Sequence, residues 1–154
     1  MHRPEPDFNL AKQILRQADL APERTALIFE GHKSTYGEFA HKIRRLARLL
    51  KQSGVCIGDR VAFLGFNQPA FLETMLATIS LGAVFVPLNF RLTGQELKFI
   101  INDAGVHTLI TDATLSETIN DVRSELPCRH YFSVEGGCEN FNDLETAISQ
   151  LEPL

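Results

Sequence analysis

The 154-residue sequence has few of the residues that mark secreted, metal-binding or membrane proteins. It has no tryptophan and three cysteines, Cys56, Cys128 and Cys138, which are odd in number and lack CxxC spacing. Neither a disulfide framework nor a zinc ribbon is therefore indicated. The apolar stretch 63–85 is interrupted by polar side chains, so no membrane span of about 20 residues is predicted. Because the start lacks a basic and then apolar leader pattern, we expect a cytoplasmic protein.

Positive charge is in the minority. Fifteen Lys and Arg residues against nineteen Asp and Glu residues give a net charge of −4. This field does not attract nucleic acid or an anionic membrane surface, so neither is expected as a partner. The hydrophobic fraction of 44% and the charged fraction of 22% are those of a globular domain. With no internal repeat, low-complexity segment or linker, residues 1–154 are predicted to form one domain without an internal boundary.

Glycine motifs that bind nucleotide phosphates are also missing. Such motifs bring backbone amides against phosphate oxygens between a strand and a helix, but the corresponding turn, Leu64-Gly-Phe-Asn-Gln-Pro69, has a single glycine. There is no GxSxG nucleophile elbow, and Ser80 and Ser133 have no recognisable base partner. We therefore interpret the turn as a plain helix start and assign no nucleophile.

Hydrophobic periodicity predicts strands alternating with helices. The apolar run from Arg60 to Phe66 is typical of a parallel strand covered on both faces. The alternation indicates an α/β fold, with a mainly parallel, doubly wound sheet and helices on both faces, preceded by a β-hairpin. Strands are predicted at 25–30, 33–35, 60–66, 83–87, 106–111 and 128–134, and helices at 8–20, 36–53, 69–81, 94–104, 115–126 and 143–151.

Local motifs predict where several of these elements begin. The capping box, in which a Thr hydroxyl and a Glu carboxylate each accept from a free backbone N–H, is expected at Thr35–Glu38, Thr93–Glu96 and Thr114–Glu117. Asn67 is expected to cap the helix whose first turn contains a proline. Gly31-His32 is predicted as the two-residue turn of the hairpin.

Two clusters could carry chemistry, and each has a plainer explanation. A set of cations in the second predicted helix could bind a phosphorylated ligand or an acidic partner, yet it lies opposite the apolar stripe, so we interpret it as a solvated face. The set is His41, Lys42, Arg44, Arg45, Arg48 and Lys51. His107, His130 and Cys128 lack metal-ligand spacing, and we expect ordinary hydrogen-bonded histidines. Asp59 and Asp112 flank strands and are expected to be turn or cap residues.

Four segments, in this order, resemble the N-terminal portion of the AMP-forming acyl-CoA synthetases, which belong to the adenylate-forming ligase superfamily. Together they cover about residues 8–112. They are Ala26–Gly31 with Thr35–Phe39, Gly58-Asp-Arg-Val61, Phe71–Ala77 with Leu81-Gly-Ala83, and Val86-Pro-Leu-Asn89 with Arg91-Leu92 and Glu96-Leu97.

The resemblance implies an enzyme that activates a carboxylic acid with ATP and magnesium as an acyl-adenylate and then transfers the acyl group to coenzyme A. The family's phosphate loop, adenine-facing aromatic segment, ribose-binding aspartate and catalytic lysine match no stretch of this sequence. We therefore expect no catalytic, cofactor-binding or metal-binding residue in this chain. The matching residues are expected to be scaffold, namely Asp59, Arg60, Gly82, Pro87, Asn89 and Arg91.

Three hypotheses about function follow. The first is an N-terminal fragment of an acyl-CoA ligase, inactive alone, whose partners are the rest of the ligase chain and a carboxylic, preferentially fatty, acid. The second is a standalone, non-catalytic binding or oligomerisation module on the same scaffold, which self-associates through exposed apolar surface. The third, an independent nucleotide-binding domain, would have to bind ATP without a phosphate loop.

Overall fold

The computed structural model describes residues 9–154, in which strands and helices alternate as expected. Phe8, where the first helix was predicted to begin, lies outside this range. The helices are α1 Leu10–Leu20, α2 Tyr36–Gln52, α3 Pro69–Ser80, α4 Gly94–Ala104, α5 Ser116–Asn120 and α6 Leu144–Ser149. The strands are β1 Thr25–Phe29, β2 His32–Thr35, β3 Arg60–Leu64, β4 Val84–Leu88, β5 Val106–Asp112, β6 His130–Val134 and β7 Asn142–Asp143. None of the helices in the described range is long and apolar enough to cross a lipid bilayer.

The strands form two sheets. β1 and β2 pair antiparallel as the predicted hairpin, and the other five strands form a parallel sheet in the order β4-β3-β5-β6-β7. This arrangement confirms the α/β prediction. β4 is an outer strand, and its Pro87 is tolerated there because the edge of a sheet does not require every backbone N–H to be bonded. The two-residue strand β7 was not predicted.

Both faces of the parallel sheet are covered by helices, because alternate side chains of each strand point to opposite faces. Val61 and Phe63 of β3 belong to a core formed with α1, α2, α3 and α6. Ala62 and Leu64 of the same strand belong to a second core with α4 and α5. The uninterrupted apolar run of β3 is thus explained by burial on two sides, which confirms the doubly wound prediction.

Two of the three predicted capping boxes are present. At the start of α2 the Thr35 N–H donates to the Glu38 carboxylate at 2.8 Å, and at the start of α4 the Thr93 N–H donates to Glu96 at the same distance. In each box the Thr hydroxyl accepts the return hydrogen bond from the Glu N–H. Both boxes depend only on residues three apart, so the local sequence suffices to specify them.

The third predicted capping box, Thr114–Glu117, is wrong. The residue that caps this segment is Asp112, whose carboxylate accepts from the Thr114 N–H at 3.0 Å. The chain then forms a 3₁₀ turn at Ala113–Leu115, the five-residue α5 and a second 3₁₀ turn at Arg123–Glu125. The single helix predicted at 115–126 is therefore broken, because the Asp112 carboxylate binds the chain two residues on and favours a tight turn.

Two further predictions are displaced by one residue. Gln68 occupies the N-cap position of α3, not Asn67, and makes no side-chain capping bond, whereas Pro69 is at the first helical position as expected. The hairpin turn is Glu30-Gly31, not Gly31-His32. Their φ angles of 49° and 81° are both positive, as a tight two-residue hairpin requires.

A clamp joins β3 to the end of α4. Gly105 ends the helix in the left-handed conformation with φ 59°. The Arg60 guanidinium donates Nε–H to the Ala104 carbonyl and Nη2–H to the Gly105 carbonyl, the latter at 2.6 Å. Arg60 thereby satisfies carbonyls that the helix end leaves without partners.

Candidate functional site at the carboxyl edge of the sheet

The crevice between the carboxyl ends of β3 and β5 is the point where the winding of the sheet reverses. β3 and β5 are neighbours, while β4, which separates them in sequence, lies on the other side of β3. Ligands of open parallel sheets bind at such switch points, beyond the carboxyl ends of the strands. Residues 65–68 after β3 and Asp112 at the end of β5 border the crevice, which makes it the candidate site.

Asp112 is the most connected polar residue at this crevice, and only 3% of its surface is exposed. One carboxylate oxygen accepts from the Thr114 N–H at 3.0 Å and from the Thr114 hydroxyl at 2.6 Å, and the other accepts from the Gln68 amide at 3.2 Å. The carboxylate therefore ties the end of β5 to the start of α3. The expected cap role is confirmed, but the bond to Gln68 was not foreseen because it joins residues 44 apart.

Gly65 lets the backbone after β3 pass close to the Phe63 ring and to Asp112. A Cβ atom on Gly65 would lie 2.6 Å from Cε1 of the Phe63 ring and 3.4 Å from Cβ of Asp112. A side chain at position 65 would collide with the Phe63 ring, which explains the glycine. It does not form an open cradle of the kind that a phosphate group fills.

An exposed aromatic pair lies at the carboxyl ends of β3 and β4. The ring centroids of Phe66 and Phe90 are 4.7 Å apart, and these residues are 44% and 38% exposed. The Arg91 guanidinium lies 5.5 Å from the Phe90 ring centroid, within cation–π range. The Asn89 side chain accepts from the Arg91 N–H at 3.0 Å, which fixes the turn that holds this pair.

An apolar hollow of about 280 Å³ adjoins the crevice, between the β-hairpin and the start of α3. Its walls are aliphatic and aromatic, apart from the two side-chain amides of Asn67 and Gln68. The lining residues are Leu27, Ile28, Phe29, Asn67, Gln68, Pro69, Phe71 and Leu72. Apolar hollows with a few polar groups are typical small-molecule sites.

A second hollow, of about 260 Å³, lies between α2, α3 and α6. It contains a charge cluster in which Glu73 is buried, whereas Lys42 and Glu145 are exposed to solvent. Lys42 Nζ is 2.9 Å from a Glu145 carboxylate oxygen and 4.0 Å from one of Glu73. Burial raises the pKa of Glu73, and the nearby Lys42 charge opposes that rise. This cluster was not predicted, although an acidic residue inside the apolar segment 71–77 was a signal of it.

The cationic side of α2 is less solvated than predicted. His41 and Lys51 are exposed, but Arg44, Arg45 and Arg48 are partly buried. Arg44 binds the Asp19 carboxylate of α1 at 3.3 Å, and Arg48 donates to the Pro153 carbonyl at 3.4 Å. The prediction of a solvated face is therefore wrong for Arg44 and Arg48, because α1 binds the first and the backbone at Pro153 binds the second.

The predicted pair of histidines lies at the amino ends of β5 and β6, away from the crevice. The His107 and His130 rings stack with centroids 5.8 Å apart, and His107 Nδ1 is 2.9 Å from the Thr108 hydroxyl. Burial lowers the pKa of His107. In residues 9–154 no three His, Cys, Asp or Glu side chains are grouped to hold a metal ion. Burial also raises the pKa of Cys128 to about 11.

The remaining candidate side chains serve the local backbone. The Ser80 hydroxyl donates to the Ala77 carbonyl at 2.7 Å, and the Ser133 hydroxyl donates to the Gly136 carbonyl at 2.8 Å. Asp59 accepts from the Cys56 N–H at 2.8 Å and so closes the turn before β3. These geometries match the turn role expected of Asp59, and they bring no base to either serine.

A family model for AMP-binding enzymes matches residues 14–150, which is most of the chain. The chain therefore belongs to the AMP-binding enzyme family. The structural comparison agrees, since a long-chain-fatty-acid–CoA ligase from Archaeoglobus fulgidus superposes with a TM-score of 0.84 at 25% identity, covering 97% of this chain and 32% of that one.

Similar sequences are CoA synthases and ligases. The feruloyl-CoA synthase of an Amycolatopsis species is 46% identical over 105 residues, 68% of this chain and 21% of the relative. The indoleacetate–CoA ligase of Aromatoleum aromaticum is 38% identical over 119 residues, 77% of this chain and 23% of the relative. The long-chain-fatty-acid–CoA ligase of Thermus thermophilus is 37% identical over 123 residues, 79% of this chain and 23% of the relative. The chain thus spans between a fifth and a quarter of the length of these relatives.

Proposed function

We propose that this chain is the N-terminal part of an ATP-dependent ligase that activates a carboxylic acid as an acyl-adenylate and transfers the acyl group to coenzyme A. The observation that carries the proposal is the five-stranded parallel sheet, which matches a CoA ligase over 97% of the chain. We further propose that residues 1–154 are one structural unit of a cytoplasmic enzyme, without a nucleic-acid partner.

The proposed role of this unit is structural, and the chain alone is inactive. Asp112, the acidic side chain at the switch point, already accepts three hydrogen bonds. The Phe63 ring occupies the space beside Gly65. Both residues thus serve the local packing of the strand ends. We therefore propose that the rest of the ligase chain supplies the groups that bind ATP, Mg²⁺ and coenzyme A.

The proposed substrate is a carboxylic acid with a large apolar part, and a fatty acid is our first choice. The relatives are named for feruloyl, indoleacetate and long-chain fatty acyl groups, and each of these has an apolar body. Aryl acids are thus the alternative within the same reaction. A panel of acids of both kinds would separate them.

The proposal is tested in two steps. First, the native polypeptide is captured with an antibody against this chain, and its intact mass is measured. We expect a species far heavier than 17.2 kDa. Second, that polypeptide and the 154-residue chain are each incubated with ATP, Mg²⁺, coenzyme A and dodecanoate, ferulate or indoleacetate. We expect AMP and acyl-CoA from the heavy species only, and adenylate formation by the chain alone would contradict the proposal.

A standalone oligomerisation module is the second candidate, and exposed apolar side chains favour it. Ile28 on the hairpin is 66% exposed, and Phe66 and Phe90 are exposed at the carboxyl edge. These residues would drive self-association if nothing else covered them. Light scattering over a range of concentrations tests this candidate, because a monomer at high concentration would count against it.

A further inference from the structure

The outer edge of β1 has no partner strand. Within residues 9–154, β1 pairs with β2 alone, and the two strands form a sheet of their own. A two-stranded hairpin is marginally stable in water, and a third strand is one way to stabilise it. Ala26 and Leu27 pack against the first core, so one face of the hairpin is already held. The edge of β1 is what remains open.

The register of the hairpin determines which backbone groups lie on this edge. Phe29 and His32 flank the two-residue turn and form the first pair, which is hydrogen-bonded. Because hydrogen-bonded and non-hydrogen-bonded pairs alternate, the next pair, Ile28 and Lys33, directs its N–H and C=O groups away from the hairpin. The Ile28 groups lie on the edge of β1 and those of Lys33 on the edge of β2. Among the described residues, no group outside the hairpin bonds to the Ile28 backbone.

The other strands that border a sheet carry features that discourage a further strand, and β1 does not. Charged side chains, proline and short length are the usual features of this kind. β2 contains Lys33, β4 contains Pro87, and β7 has only two residues. β1 has the sequence Thr25-Ala-Leu-Ile-Phe29, without charge or proline, and Ile28 is 66% exposed. The edge of β1 is therefore suited to strand addition.

The apolar hollow beside the hairpin indicates the chemistry of the added strand. Three successive residues of β1, Leu27, Ile28 and Phe29, line this hollow. Since successive side chains of a strand point to opposite faces, the hollow follows the edge of β1 and not one face. Phe71 and Leu72 of α3 also line it. An extended segment with apolar side chains at alternate positions would pair with the edge and fill the hollow.

We propose that in the full-length ligase an extended apolar segment from beyond residue 154 pairs with β1 as a third strand and fills this hollow. The contact rests on the proposed function, since it requires a longer polypeptide. The relatives supply the length, because the chain covers 21–23% of them. Residues 1–8 are less suited to this edge, because Pro4 and Pro6, two positions apart, lack N–H groups that one side of a strand would donate.

Hydrogen–deuterium exchange tests the pairing. The full-length polypeptide and the 154-residue chain are compared, and exchange is measured at single amides by mass spectrometry with electron-transfer fragmentation. We expect the Ile28 amide to exchange about tenfold or more slowly in the full-length polypeptide, because it becomes hydrogen-bonded. The Lys33 amide is the matched control, because it points outward on the opposite edge and should change little. Equal slowing of both amides would indicate a general stabilisation of the hairpin and overturn the pairing.

Two proline variants give a second test. Ile28→Pro and Lys33→Pro each remove one outward N–H and no hydrogen bond of the hairpin, and Ile28→Ala removes the side chain but keeps the donor. In the full-length polypeptide we expect Ile28→Pro to lower Tm by about 2 °C or more beyond either control. In the 154-residue chain the two proline variants should differ little. An Ile28→Pro effect no larger than that of the controls in the full-length polypeptide would overturn the contact.

Other partners for this edge would give different results. An Ile28 amide that is already protected in the monomeric 154-residue chain would identify residues 1–8 as the partner. Protection that appears only when this chain dimerises would identify a second copy, and either result would overturn the proposal. A native mass near 17.2 kDa would overturn the proposed function and the contact together, whereas an unprotected Ile28 amide in a longer polypeptide would overturn the contact alone.

Discussion

Arg60 is predicted to stabilise the packing of α4 on the parallel sheet, and its replacement tests this contribution. Its guanidinium donates to the carbonyls of Ala104 and Gly105 at the end of α4, and Nη1–H donates to the Gly58 carbonyl at 3.3 Å. Arg60→Ala removes all three hydrogen bonds. The helix end then loses the donor that satisfies its last carbonyls.

The expected loss is worked from these bonds. A hydrogen bond to a charged group contributes about 1.5–3 kcal/mol net. Two of the three hydrogen bonds, those to Ala104 and Gly105, are partly buried. In the variant the freed carbonyls form hydrogen bonds to water, which offsets part of the loss. We therefore expect Arg60→Ala to lower the free energy of unfolding by about 2–4 kcal/mol. Arg60→Lys keeps the charge but cannot donate to both carbonyls as a planar fork, so about half of that loss is expected.

The assay is urea unfolding of the 154-residue chain, followed by far-ultraviolet circular dichroism at pH 7.5. Arg16→Ala is the control, because Arg16 is exposed on α1 and its replacement should change stability by less than about 0.5 kcal/mol. An Arg60→Ala variant as stable as this control would refute the clamp. An Arg60→Lys variant equal to the wild type would refute the argument from fork geometry.

Three further predictions concern single side chains. Gly65→Ala should cost about 1–3 kcal/mol of unfolding free energy in urea, since its Cβ would lie 2.6 Å from the Phe63 ring; wild-type stability would show that the ring moves freely. Burial lowers the pKa of His107, so the unfolded chain binds a proton at this residue more readily than the folded chain does. The free energy of unfolding is therefore highest above about pH 6.5 and declines as the pH falls below that value. The urea midpoint should therefore fall less between pH 7.5 and 5.5 in His107→Gln, and parallel curves would contradict this. Iodoacetamide at pH 8 should label exposed Cys56 before Cys128, whose pKa is about 11; peptide mass spectrometry would show equal rates if burial were unimportant.

Predictions that depend on neighbouring residues succeeded where a single local interaction dominates. The capping boxes at Thr35 and Thr93 are present because both partners lie within one helical turn. The box at Thr114 fails because a competing carboxylate, Asp112, precedes it by two residues. The sequence pattern at Thr114 matches a capping box as well as the patterns at Thr35 and Thr93 do. Only a comparison of the two nearby acceptors, the Thr114 hydroxyl and the Asp112 carboxylate, could have predicted which one caps the segment.

The candidate site was beyond sequence reasoning for a different reason. The Asp112–Gln68 bond joins residues 44 apart, and the Arg60 bonds to α4 join residues 44 and 45 apart. These contacts exist because β3 and β5 are adjacent in the sheet. Periodicity predicts that a segment is a strand but carries no information on which strand lies beside it.

By itself, the sequence determined the alternation of strands and helices, the burial of β3 on both faces and the family resemblance, because periodicity, caps and motifs are written in short stretches of the chain. Only the tertiary structure decided that Asp112 meets Gln68, that arginines of α2 are partly covered, and that Glu73 is buried beside Lys42. The physical reason is that burial and long-range hydrogen bonds depend on strand order and helix packing, which bring together residues that no local pattern relates.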